Sequence, residues 1–114
     1  MIIIEGKVGK SIILENLINN RLMNRSVVVL DSVGVNGLVV PKGVDHFMFN
    51  NHTVEEIIDA CRHGGFKNYE WVIFEVNADL TKIDIEHFKE LDRNSTQNFI
   101  ITVQTDGDIK VKFA

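Results

Sequence analysis

Short runs of contiguous β-branched and aromatic residues, separated by stretches of helical periodicity, constrain this chain more than any other feature. Ile2-Ile3-Ile4, Val27-Val28-Val29-Leu30, Trp71-Val72-Ile73-Phe74 and the run from Phe99 to Val103 lack the apolar-polar alternation of a sheet with one wet face, and predict strands covered on both faces. Between the first two, Ile13, Leu14, Leu17, Ile18 and Leu22 recur at helical spacing opposite Asn16, Asn19, Asn20 and Arg21, which predicts an amphipathic helix from Lys10 to near Met23. Thr53-Val54-Glu55-Glu56 is a capping box opening a second helix, with Val54, Ile57, Ile58 and Cys61 as its apolar stripe and Gly64-Gly65 as its exit. Ile85, Phe88 and Leu91 define a third, short helix for which Asp84 is the candidate cap. His46 to Phe49 is a candidate short strand, and Ile109, Val111 and Phe113 alternate with Lys110 and Lys112 as on an edge strand. Strands alternating with helices give an α/β fold, a mostly parallel sheet of about five strands with helices on both faces.

The 114 residues fit one domain spanning the whole chain, 1–114. A net charge of -4 argues against the broad basic surface that grips nucleic-acid phosphates, leaving only a local patch for any DNA contact. The lone Cys61 has no partner for an intrachain disulfide, no stretch reads as a cleavable leader, and every apolar run is far shorter than the roughly 20 residues that span a bilayer. These features predict a cytoplasmic protein with no membrane role. The four histidines show no zinc spacing and Gly-x-Ser-x-Gly is absent, which sets aside a zinc site and a nucleophile-elbow hydrolase.

In a sheet of this kind ligands bind beyond the carboxyl ends of the parallel strands, so the loops that matter start at Glu5, Asp31, Glu75 and Gln104. At the first of them, Gly9-Lys10-Ser11 opens a helix directly after a strand. Backbone N–H groups at a helix start face an anion, a lysine neutralises phosphate charge, and the next hydroxyl ligates magnesium. The complete motif has four residues between its first glycine and Gly-Lys-Ser/Thr. That count lands on Ile4, whereas from Gly6 only Lys7 and Val8 intervene, a loop shorter by two residues. The competing reading is a chance tripeptide where glycine eases a turn. Glu75 and Gln104 have equally plain alternatives as polar strand exits, and Asp31 either orients a metal-bound water or caps the loop after it.

The order of features beyond this loop resembles the core of RecA-type P-loop NTPases. Gly43-Val44-Asp45, the apolar Phe47-Met48-Phe49, a helix, and then Trp71-Val72-Ile73-Phe74-Glu75 follow one another as the family's elements do up to its Walker B strand; Ile100 to Gln104 is similar to the strand that ends in a γ-phosphate-sensing glutamine. The resemblance implies ATP and Mg as ligands, a phosphate site of Gly6, Lys7, Val8, Gly9, Lys10 and Ser11, metal contacts from Ser11 and Glu75, and Gln104 beside the γ-phosphate. It also implies a role in DNA recombination or replication, a bacterial or phage source, and a homo-oligomer or a larger ATPase as partner. Three departures stand against full activity: the degenerate Walker A loop, Glu75 where Walker B has aspartate, and Val33 at the position of the catalytic glutamate, which cannot activate water. The resemblance therefore predicts an ATPase that is slow at best. The alternative is a degenerate, non-catalytic P-loop fold that works as a protein-interaction or regulatory module.

Overall fold

A computed structural model describes residues 1–31, 40–49, 53–79 and 85–113. In chain order these form β1 (Ile2–Gly6), α1 (Lys10–Arg21), β2 (Val27–Asp31), β3 (Asp45–Met48), α2 (Val54–Arg62), β4 (Trp71–Asp79), α3 (Ile85–Arg93), β5 (Asn98–Gln104) and β6 (Lys110–Phe113). One sheet with the order β3-β2-β4-β5-β1-β6 holds all the strands, parallel throughout except for the antiparallel β1–β6 pair. The strand count is thus six, not about five. Both edge strands, β3 and β6, were among the candidates; each has four residues, exposed along their length and lacking a long apolar run.

The contiguous apolar runs are buried on both faces, as expected of strands sandwiched between helices. On one face α1 sets Leu14 and Ile18, with Leu22 just beyond its end, against Ile4, Val27, Val29, Ile73 and Ile100. On the other face Ile57, Ile58 and Cys61 of α2 and Phe88 and Leu91 of α3 pack over Val28, Leu30, Val72, Phe74, Phe99 and Ile101. Phe74 is the hub of that layer, edge-on to Phe88 with ring centroids 4.9 Å apart and stacked on Phe99 at 6.1 Å. The alternation of odd and even positions between the two cores fixes which side chains each face presents at the strand ends.

Thr53 caps α2 as its sequence predicts. The hydroxyl accepts from the Glu56 N–H at 3.1 Å, and the Thr53 N–H donates to the Glu56 carboxylate at 3.3 Å. Thr53→Ala is expected to cost about 1 kcal/mol, read as a lower urea midpoint with an unchanged slope. At the other end Gly64 takes a positive φ of 79°, the left-handed exit that glycine accommodates without a Cβ penalty. Asp84, Val33 and His52 lie outside the described residues, as does most of the loop expected between Ser32 and Lys42. No helix among the described residues is long and apolar enough to cross a membrane.

Candidate phosphate site at the start of α1

Four parallel strands, β2, β4, β5 and β1, run side by side toward the N-terminus of α1. Asp31 is in register with Glu75, Glu75 with Thr102, and Gly6 with Gln104. Val29, Ile73 and Ile100 belong to the core beneath α1. Asp31, Glu75, Thr102 and Gln104 follow them at even spacing and face the same side. Because β5 lies between β1 and β4, Gln104 emerges beside the loop that leaves β1, and Glu75 sits one strand further in.

That loop is Lys7-Val8-Gly9, running straight into α1. Gly9 is the N-cap residue, left-handed at φ 92°, and no side chain caps the helix. The first intrahelical bond runs from the Ile13 N–H to the Gly9 carbonyl, so the helix opens on amides of the kind that attract anions. The Lys10 side chain folds over the loop, and its ammonium donates to the Gly6 carbonyl at 2.8 Å and to Gln104 Oε1 at 2.7 Å. Gln104 in turn donates through Nε2 to the Lys7 carbonyl at 3.1 Å, so one side chain bridges lysine and loop. The turn after β5 closes on the same segment: the Thr105 N–H donates to the Gly6 carbonyl and the Lys7 N–H to the Gly107 carbonyl, both at 3.1 Å. A short loop has already spent its Lys7 amide on its neighbour and does not offer it to a ligand.

Two buried acids lie below. Burial pushes the Glu75 carboxyl above its ordinary range; a hydrogen bond from Thr102 Oγ1 at 2.9 Å acts against this, Asp31 adds to it, and the Lys10 charge partly offsets it. Burial likewise lowers the Lys10 ammonium, with Glu75 acting in the opposite direction. Asp31 Oδ2 lies 2.9 Å from His46 Nε2, reaching across to β3. A carboxylate whose folded pKa is raised destabilises the fold at neutral pH, and the cost disappears as pH falls below the ordinary value of 4.5. Glu75→Gln keeps an acceptor for Thr102. It is therefore expected to add about 1 kcal/mol at pH 7 and nothing at acid pH, as denaturation curves at the two pH values would show.

No family model matches the sequence, and no curated protein does. A search by structure finds the VirB11 ATPase of the Brucella suis type IV secretion system, solved in complex with sulphate, at a TM-score of 0.61 and 12% identity over 91% of this chain. The fold is shared with an ATPase. This chain spans 30% of that protein's length.

Of the residues singled out by sequence, Gly6, Lys7, Lys10 and Gln104 come together in one hydrogen-bonded cluster, Gly9 stands beside it as the N-cap of α1, and Glu75 joins it through the charge of Lys10. Ser11 stands half-buried on the first turn of α1, whereas Val8 projects into solvent. Glu75 is not a strand terminus, since β4 continues to Asp79 with a register shift against β5. Sequence reasoning missed Thr102 and His46 as partners of the two acids. Thr102 carried a signal, the one hydroxyl inside an otherwise apolar buried run; His46 carried none.

Proposed function

We propose that this chain binds the phosphates of a nucleoside triphosphate, with magnesium, at the start of α1. The observation that carries the reading is the Lys10 ammonium, held between the Gly6 carbonyl and Gln104 above the buried Glu75, at a helix start that no side chain caps. An arriving phosphate replaces those two neutral acceptors with a charged one, the stronger partner for an ammonium. In this reading Lys10 neutralises phosphate charge and the α1 amides face the phosphate oxygens. Ser11 and Glu75 supply a hydroxyl and a carboxylate to the metal, and Gln104, freed from Lys10, turns to the terminal phosphate. The donor set suits magnesium, which takes one or two carboxylates plus phosphate oxygens and water. Among the described residues no group of three His, Cys, Asp or Glu forms an all-protein cage. The ion supplies charge neutralisation when bound. With Val33 where the RecA-like pattern places its catalytic acid, turnover is slow, and the same resemblance supports a setting in DNA recombination or replication. ATPase machinery is the corresponding partner class, in line with the fold shared with a secretion ATPase.

A second reading rests on the Lys7 N–H being committed to Gly107. A loop this short, with an amide already used, suits a fold that has lost its nucleotide and works through protein contacts. Calorimetric titration with magnesium and a non-hydrolysable ATP analogue separates the two. Saturable heat supports the nucleotide site, and no heat at millimolar nucleotide retires it in favour of the interaction module.

A further inference from the structure

β6 closes one edge of the sheet and presents two chemically distinct faces. Val111 and Phe113 pair with Ile4 and Ile2, on the α1 side, while Lys110 and Lys112 pair with Glu5 and Ile3, on the side of α2 and α3. Ile109 joins the first set where the chain leaves the turn, with its Cα packed over Gly6. Ile109, Val111 and Phe113 stay 37, 43 and 82% exposed, a stripe that the described residues cover only in part and least at Phe113. On the opposite face Lys112 binds Glu5 Oε1 at 2.7 Å, and Lys110 makes no ion pair among the described residues. Among the described residues the outer edge of β6 carries no partner strand.

We propose that this edge is a docking site for an extended segment of a partner protein in which apolar and acidic residues alternate. Added as a seventh strand, such a segment lays its apolar side chains along Ile109, Val111 and Phe113 and its carboxylates beside Lys110 and Lys112, joined by backbone hydrogen bonds. Charge complementarity selects this occupant over a second copy of the chain. Every antiparallel register that overlaps two or more residues of β6 (Lys110–Phe113) with itself sets a lysine opposite a lysine or opposite an apolar residue. Edge lysines commonly block sheet-to-sheet pairing; here the block acts against like chains and admits an acidic strand. The inference does not depend on nucleotide binding.

The test is an amide NMR titration of the intact protein with a short capped peptide alternating valine with glutamate, beside one alternating valine with lysine. The expected result is saturable shifts confined to Ile109–Phe113 and the paired residues of β1 with the glutamate peptide, and none with the lysine peptide. Lys110→Glu, at an exposed position with no partner to lose, should weaken the glutamate peptide about three- to tenfold and let the lysine peptide bind. Equal binding of both peptides, shifts at β3 (Asp45–Met48) instead, or no shifts at all would overturn the proposal. So would concentration-dependent self-association abolished by Val111→Lys in sedimentation, because the occupant would then be a second copy.

Discussion

Lys10→Ala is expected to weaken binding of the magnesium complex of a non-hydrolysable ATP analogue about 30- to 1000-fold, the equivalent of about 2–4 kcal/mol. The side chain makes its hydrogen bonds at the mouth of the loop, to Gly6 and Gln104, whereas Lys7 bonds there through its backbone. The variant should fold, because Lys10 is on the first turn of α1 and outside both apolar cores. An independent readout accompanies the affinity. Without the Lys10 charge, Glu75 loses the cation that opposes its burial, and its carboxyl should titrate at higher pH than in the parent, as side-chain carbon NMR would show. If affinity is unchanged while the Glu75 titration moves, the lysine is where the structure places it and phosphates are not its ligand. If neither changes, the Lys10–Glu75 interaction itself is refuted.

The sandwich was legible in the sequence because burial on both faces leaves a mark that needs no tertiary information. Val27 to Leu30 and Trp71 to Phe74 are apolar at every position, and that pattern has few other uses in a short run. The capping box at Thr53 is equally local, its partners three residues apart. Edge strands carry a weaker mark: alternation of Ile109, Val111 and Phe113 with Lys110 and Lys112 pointed to β6, and the short stretch from His46 to Phe49 pointed to β3. β3 reads Asp-His-Phe-Met, paired on one side and wet on both faces, so only its place beside β2 makes it a strand. The far half of β4 is a similar case, for Asn77-Ala78-Asp79 has little strand propensity and is held by pairing with β5 across a register shift.

The site was legible in its parts but not in its wiring. Gly-Lys-Ser after a strand marked the loop, and polar residues that close apolar runs marked Asp31, Glu75 and Gln104. The bond between Lys10 and Gln104 spans 94 residues and follows only from β5 lying between β1 and β4. The His46–Asp31 contact depends in the same way on β3 joining β2. Closure of the Thr105–Gly107 turn over the loop had no local signature, being made by backbone groups alone.

That closure makes Gly6→Ala the substitution with the largest expected effect on stability, a loss of about 2–3 kcal/mol. A Cβ on Gly6 would lie 2.9 Å from the Ile109 Cα and 3.3 Å from the Ile109 N and Cβ, a clash with backbone that no rotamer change relieves. Relief requires the start of β6 to move outward. Moving it breaks the Lys7–Gly107 hydrogen bond and strains the Gly6 carbonyl, which accepts from both Thr105 and Lys10. The damage should therefore be confined to one corner of the molecule: amide shifts and faster hydrogen exchange over 105–113 and around Lys10, with the α2 and α3 layer undisturbed. Gly9→Ala is the informative control. Its Cβ would meet only the flexible end of Ile109, at 3.5 Å, so its penalty comes from the left-handed φ of 92° and leaves the β6 amides where they are. Parent-like stability and exchange in Gly6→Ala would mean that the segment from Thr105 to Ile109 does not rest on the loop after β1, and the coupling between the two would have to be abandoned.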